Sequence, residues 1–417
     1  MNHSTDRSVP TAIPFARPSI TDAEKEAVNR VLDSGWLTTG AEAARFEEEF
    51  AEAVGARYAL SCASATAGLH LALEAAGVGR GDRVAVTPYT FAATAEVVRY
   101  LDADPVFVDI APDSPNMSPD ALAEVLDRAT SDGGKPVSAV IPVHMGGLPC
   151  DMAAIREVAE AAGATVIEDA AHAFPAAYSA PTASAVSTGI NGTEDTTMVP
   201  VGSSGTAVFS FYANKPITTG EGGMIVTDDE EIASRIRLMR LHGIDRPVWN
   251  RYRTPGATWE YDIVAAGYKY NMPDILAALG RVQLSRSRDL HEARRAHAQA
   301  YMEGFHRAAV DELRRRELLL PTQQRGHAWH LFSVQVDSNS RDRVIAELAE
   351  HGIGTSVHYK PLHMMSYYHE RYGLVEADYP NAADRFRKSI SLPLYPDLRS
   401  DEREFVIESL SAAVRGC

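Results

Sequence analysis

Residue types able to do covalent chemistry fall in a few short segments. Lys215 closes the run Phe209-Ser-Phe-Tyr-Ala-Asn-Lys215-Pro, and Gly220-Glu-Gly-Gly-Met-Ile-Val-Thr227 follows it. A buried ammonium is disfavoured, so a lysine at a strand end packed against a cofactor sheds its proton and becomes nucleophile and base. Such an amine can form a Schiff base with an aldehyde such as pyridoxal phosphate (PLP). The chain has six lysines against 34 arginines, so lysine is not its usual surface cation. Taken alone, the segment reads equally as a solvated loop.

A second segment, Ala164-Thr-Val-Ile-Glu-Asp169-Ala-Ala-His172, reads as a buried strand ending in carboxylates, with a histidine three residues after Asp169. A carboxylate at the carboxyl end of a parallel strand suits a protonated pyridine nitrogen and would make the ring an electron sink. The alternative for Asp169 is a helix N-cap. His172 could reach a ring hydroxyl or simply be packed. In the third segment, Tyr58-Ala-Leu-Ser-Cys-Ala-Ser64-Ala65-Thr66-Ala-Gly68 runs from strand through small residues into a helix. Backbone N–H groups at such a helix start attract phosphate, although Ser or Thr there is commonly just a cap. Strand alternation turns Ser210 away from Phe209 and Phe211, toward the same anion.

With further stretches in the same order, the chain resembles the DegT-like sugar aminotransferases, PLP enzymes of fold type I. These stretches are Pro14-Phe-Ala-Arg-Pro, Ser34-Gly-Trp-Leu-Thr-Thr-Gly40, Thr87-Pro-Tyr-Thr-Phe91, Val143-His-Met-Gly-Gly, Arg240-Leu-His-Gly243, Gly267-Tyr-Lys-Tyr-Asn271 and Gly352-Ile-Gly-Thr-Ser-Val-His358. The likeness covers roughly residues 14 to 410. It implies Lys215 as the cofactor lysine, Asp169 at the pyridine nitrogen and His172 at the ring hydroxyl, where the family more often has glutamine. Phe91 would stack on the ring, Ala65, Thr66 and Ser210 would hold the phosphate, and Asn271 would reach the cofactor of a second subunit in a homodimer. Trp36, Thr38, Thr39, Lys269, His358 and His363 would face substrate, the two histidines from exposed loops. The implied reaction is amination of a nucleotide-linked keto sugar, a 4-keto sugar by the resemblance of the two terminal motifs, with L-glutamate as donor. Three features depart from the family: Ala65 for glycine, Pro216 after the lysine, and a long stretch from Ser179 to Ser204.

Composition narrows the classes. At 417 residues, 45% hydrophobic and 23% charged, the chain is expected to be an ordinary globular protein with two domains. No apolar run is long enough for a membrane span, and the N-terminus lacks a secretory pattern, so the cytoplasm is expected. Cys62, Cys150 and Cys417 are too scattered for disulfides or a metal site. A net charge of −16 argues against nucleic acid. It also calls for a local positive patch to hold a diphosphate, for which Arg246, Arg251, Arg253 and Lys269 are candidates.

Those residues need elements to position them. Short apolar runs near 83–87, 105–109, 138–143 and 164–168 alternate with helical stretches, which predicts an α/β fold with a mostly parallel sheet and functional groups at the strands' carboxyl ends. Residues 1–285 are expected to form the large cofactor domain, with an N-terminal arm, and residues 286–417 a smaller α+β domain. Residues 179–204, rich in Ser, Thr, Ala and Gly, are expected to be a mobile surface loop. The rival functions are a 3-keto-sugar or keto-cyclitol aminotransferase, a PLP-dependent sugar dehydratase and a non-catalytic PLP sensor. Dehydratase relatives replace the lysine by histidine, and a sensor would need a DNA-binding segment for which this acidic chain has no spare length.

Overall fold

The computed structural model describes residues 12–131, 135–181, 196–245, 261–308 and 318–416. Eleven strands are described: β1 Tyr58–Cys62, β2 Arg83–Val86, β3 Asp104–Phe107, β4 Val137–Ile141, β5 Thr165–Asp169, β6 Ala177–Pro181, β7 Thr196–Pro200, β8 Thr206–Ser210, β9 Gly223–Thr227, β10 Phe332–Gln335 and β11 Ser389–Leu392. Seven form one sheet in the order β1-β9-β8-β5-β4-β2-β3. Only β9 opposes its neighbours: β1 and β8 pair with it antiparallel, and the remaining pairs are parallel. The sheet is mixed and mostly parallel, as the sequence led us to expect.

Both faces of the sheet are covered, which explains why its strands read as apolar runs instead of alternating ones. Ala207, Phe209, Met224 and Val226 enter one core, and Val208, Ile225, Ile167 and Ile141 enter the other. Burying a side chain such as Phe209 contributes about 1.5–3 kcal/mol. The same two-residue period puts Asp169 on the Ile167 face and Ser210 on the Val208 face. Helix Ala65–Ala75 packs on that face with Leu69, Leu71, Ala72 and Leu73 buried. Its Gly68 lies so close to the sheet that a Cβ would stand 2.7 Å from Val208. One face of the sheet therefore gathers a carboxylate, a hydroxyl and a helix N-terminus at its carboxyl edge.

A separate core holds the antiparallel pair β10–β11 between helices Ser287–Arg307, Arg341–Glu350 and Ser400–Arg415. Ile13 belongs to this second core, and its backbone exchanges hydrogen bonds with Gly352 and Gly354. The start of the chain is thus stitched to the C-terminal unit. Helix Asp22–Ser34 begins at a capping box, in which the Thr21 N–H donates to Glu24 Oε2 at 2.8 Å, and ends at Gly35 in the left-handed region.

The expected loop over 179–204 is corrected at both ends. β6 and β7 pair antiparallel from Ala177 with Pro200 to Pro181 with Thr196, because Tyr178 and Val201 are apolar enough to join the main core. Residues 182–195 lie outside the described residues.

Candidate active site

Asp169 ends β5 with only 5% of its surface exposed. Its backbone is held by Pro142 and His144 at the end of β4, through Asp169 N–H to Pro142 O at 2.9 Å and His144 N–H to Asp169 O at 3.2 Å. Its carboxylate accepts Thr94 Oγ1–H at 2.8 Å and the Ala171 N–H at 3.1 Å. Burial raises its pKa, opposed by Thr94, the Ala171 N–H and the Lys215 charge. A buried carboxylate with two donors still favours a cation beside it. Glu168, facing the other way, is locked in a buried network: His144 Nε2 donates to Oε2 at 2.9 Å, Arg156 donates to Oε1 at 2.5 Å, and the Cys150 N–H donates to His144 Nδ1 at 3.0 Å. Sequence reading missed Thr94. Its signal was a hydroxyl residue at the start of helix Ala93–Tyr100, three positions after Phe91.

Lys215 does not stand at the strand end as expected. It closes a turn five residues past β8, its N–H donating to Tyr212 O at 2.9 Å. The protein around it strips water from the amine, and burial lowers its pKa to about 7 against the opposing pull of Asp169. A free amine near neutral pH is the state a carbonyl-attacking lysine needs.

The phosphate-cradle candidates lie where the sheet face predicts. Ser64 is spent as N-cap, accepting the Ala67 N–H at 3.1 Å. Ala65 and Thr66 open the helix, partly exposed. Ala65 takes a helical position that any residue can adopt, so the missing glycine costs no strain. Ser210 Oγ accepts the Tyr212 N–H at 3.3 Å, which leaves its proton for an anion. Gly223 is required here, since a Cβ would lie 2.7 Å from Ala65 N and from Ser64 C.

Facing Asp169 is a set of rings. His172 is 5% exposed; its Nδ1 accepts the Gly146 N–H at 3.2 Å, and its Nε2 lies 3.3 Å from Tyr359 Oη. His330 packs on it with ring centroids 4.5 Å apart. Gly147 permits this approach, because a Cβ would meet His172 O at 3.0 Å and His330 N at 3.1 Å. Phe91 is 59% exposed, its ring 5.8 Å from Tyr359, which leaves one face open for stacking. His358, expected on an exposed loop, is buried at 8%, hydrogen-bonded to Ser391 Oγ at 2.9 Å and packed on Phe15. Burial and then the Lys215 charge lower its pKa to about 4, which brings it into the same electrostatic neighbourhood. Tyr359 and His330 went unnoticed in the sequence.

Other expected substrate residues gather around Thr39. Asn271 Nδ2 donates to Thr39 Oγ1 at 2.6 Å, Lys269 Nζ donates to Asn271 Oδ1 at 2.6 Å, and Trp36 Nε1 donates to Thr39 O at 3.3 Å. Thr39 also donates to Met272 O at 2.6 Å, so its hydroxyl is occupied by the fold, whereas Thr38 is exposed. His363 is fully buried against Tyr379, with Asp109 and Asp378 as its charged neighbours. That removes it from the exposed role expected, since the apolar helix and turn residues around Leu362 draw it inward. Arg246, Arg251 and Arg253 lie outside the described residues. Among the described residues no cluster of His, Cys, Asp or Glu could hold a metal, and no helix is long and apolar enough to cross a membrane.

The sequence model of the DegT/DnrJ/EryC1/StrS aminotransferase family matches residues 18–411. The chain is 40% identical over 412 residues to the spore coat polysaccharide biosynthesis protein SpsC of Bacillus subtilis (strain 168), covering 97% of each chain. Its fold matches the putative sugar aminotransferase Spr1654 from Streptococcus pneumoniae in its apo form with TM-score 0.82 and 30% identity, over 97% of this chain and 98% of that one. Spr1654 is also known in PLP and PMP forms. DesI, solved in the presence of its TDP-sugar product, matches with TM-score 0.78 and 29% identity, over 98% and 94% of the two chains.

Proposed function

Because the chain belongs to the DegT/DnrJ/EryC1/StrS aminotransferase family, a family of PLP-dependent sugar aminotransferases, we propose that it aminates a nucleotide-linked 4-keto sugar with L-glutamate as donor. The observation that carries the chemistry is the buried Asp169 carboxylate, held by Thr94 and the Ala171 N–H, whose charge acts on the Lys215 amine.

The residues fit PLP. Asp169 is a buried carboxylate in want of a cation, Ser210 has a spare hydroxyl proton, and the start of helix Ala65–Ala75 offers backbone N–H groups. When bound, PLP supplies an aldehyde for amines and a ring that takes up the electrons of a carbanion. Asp169 would keep the pyridine nitrogen protonated, and Thr94 and the Ala171 N–H fix its carboxylate. Lys215 would hold the cofactor through its amine, and as a free amine it would move the proton at the amino-bearing carbon, a role that fits a pKa near the working pH. Phe91 would stack on the ring, and Thr66 and Ser210 would hold the phosphate.

Several features support a nucleotide-linked substrate. DesI was solved with a TDP-sugar product. Trp36 and the exposed Thr38 form a loop suited to a base and a diphosphate, and Lys269 adds a nearby cation. His358, close to Lys215, is available for a sugar hydroxyl. The homodimer belongs to the same proposal: Asn271, which lies with Thr39 and Lys269, would serve the neighbouring subunit's cofactor.

The test is a panel of nucleotide-linked and unlinked keto sugars incubated with the protein and glutamate. Mass spectrometry should find the amino sugar only from linked substrates, and NMR should locate nitrogen at C4. Nitrogen at C3, or efficient amination of a free cyclitol, would favour the rival readings.

A further inference from the structure

Tyr359 lies between two residues of the cofactor pocket, its ring 5.8 Å from that of Phe91 and 6.2 Å from that of His172, the latter pair nearly parallel at 27°. The hydrogen bonds of His172 fix which way its proton points. Nδ1 accepts the Gly146 N–H and therefore bears a lone pair. Burial, with the Lys215 and His358 charges, drives the imidazole pKa well below the usual histidine value, so the ring is neutral and its one proton sits on Nε2. Nε2–H then donates to Tyr359 Oη at 3.3 Å. His330 packs against the imidazole at 4.5 Å between ring centroids, tilted by 44°.

The chain of donors thus runs in one direction, from Gly146 N–H to His172 and from His172 to Tyr359. Its last proton, on Tyr359 Oη, has no acceptor among the described residues. Burial raises the Tyr359 pKa, and the Asp169 and Tyr89 charges raise it further, so the phenol keeps that proton. The half-buried phenol lies between the Phe91 and His172 rings, so an acceptor bound there meets this proton.

We infer that Tyr359 donates to the ring oxygen of bound PLP, and that His172 acts as a positioning residue behind it. The inference rests on PLP occupying the pocket between Lys215 and Asp169. It changes the role of His172: the imidazole proton is committed to the tyrosine, and the tyrosine makes the contact. A glutamine at this position would have its own amide proton to offer, whereas a histidine pinned through Nδ1 passes the donor role one residue on.

A hydrogen bond to the ring oxygen lowers its affinity for a proton, so removing the bond makes the neighbouring imine hold its proton more tightly. The experiment is a pH titration of the visible absorbance of the holoenzyme, wild type against Tyr359→Phe, His172→Phe and the double variant, each at saturating PLP. Tyr359→Phe should raise the titration midpoint by about one pH unit, which corresponds to a tenfold change in proton affinity. His172→Phe should shift it in the same direction, and the double variant should match Tyr359→Phe alone, because the two act in series. A Tyr359→Phe holoenzyme that titrates with the wild type overturns the inference. If its KM for glutamate rises at an unchanged midpoint, the hydroxyl serves the donor's carboxylate and the inference also fails. A wild-type protein with no PLP absorbance would instead overturn the cofactor reading itself. A purely structural tyrosine would lower thermal stability and leave the midpoint in place.

Discussion

At the residue scale the site depends on a buried carboxylate and a desolvated amine, each of which shifts the titration of the other. Asp169→Asn leaves the two donors and the fold but cannot hold the pyridine nitrogen protonated, so kcat should fall by about 10²–10⁴-fold with unchanged circular dichroism. Loss of fold with normal activity in the surviving fraction would return Asp169 to the role of a cap. Lys215 makes a separate prediction for the cofactor-free protein. Its pKa is about 7 folded and near the ordinary 10.5 unfolded, so between those values the unfolded chain binds one more proton. Stability therefore rises with pH across that window, by up to about 1.4 kcal/mol per unit, and this contribution is flat below it. Urea unfolding of the apo protein at a series of pH values should show the slope. Lys215→Met should lack that part of it, and identical slopes would mean that the amine is solvated.

At the scale of elements, the cradle depends on how closely β9 runs beneath the turn before helix Ala65–Ala75. A methyl on Gly223 would press on the Ser64 carbonyl carbon and the Ala65 nitrogen at 2.7 Å, and backbone cannot swing aside as a side chain can. Gly223→Ala should cost about 1–3 kcal/mol of stability and weaken PLP binding. Equilibrium dialysis of PLP against the variant checks this, and wild-type affinity would show that the turn has slack. The strand period explains the rest of the local design: Phe209 and Phe211 fill one core, and Ser210 between them is left facing the site.

At the scale of the whole molecule, the pairing of subunits carries the prediction. Asn271 sits with Thr39 and Lys269, and Phe91 is left 59% exposed in a single chain. If a second subunit completes each site, Lys215→Ala and Asn271→Ala proteins, each inactive, should regain part of the wild-type rate after subunit exchange, because hybrid dimers hold one site with neither defect. No recovery after verified exchange would mean that both residues serve the same chain's cofactor.

The sequence by itself determined most of the sheet and the family. Apolar runs of strand length between helical stretches gave β2 through β5, and the carboxylate at a strand end and the sparse lysine singled out Asp169 and Lys215 as candidates, because strand period is a local property of neighbouring residues. Only the tertiary structure decided which distant side chains close the pocket. Tyr359 is 187 positions from His172 and Thr94 is 75 from Asp169. His358 and His363, alike in the sequence, were separated by folding, one drawn toward Lys215 and the other buried against Tyr379. The segment from Ser179 to Ser204 looked too polar to order itself, yet its flanks pair as β6 and β7, since the apolar residues that hold them, Tyr178 and Val201, find their partners in a core assembled by the rest of the chain. Burial and hydrogen-bond direction belong to the assembled molecule, and no spacing along a single chain encodes them.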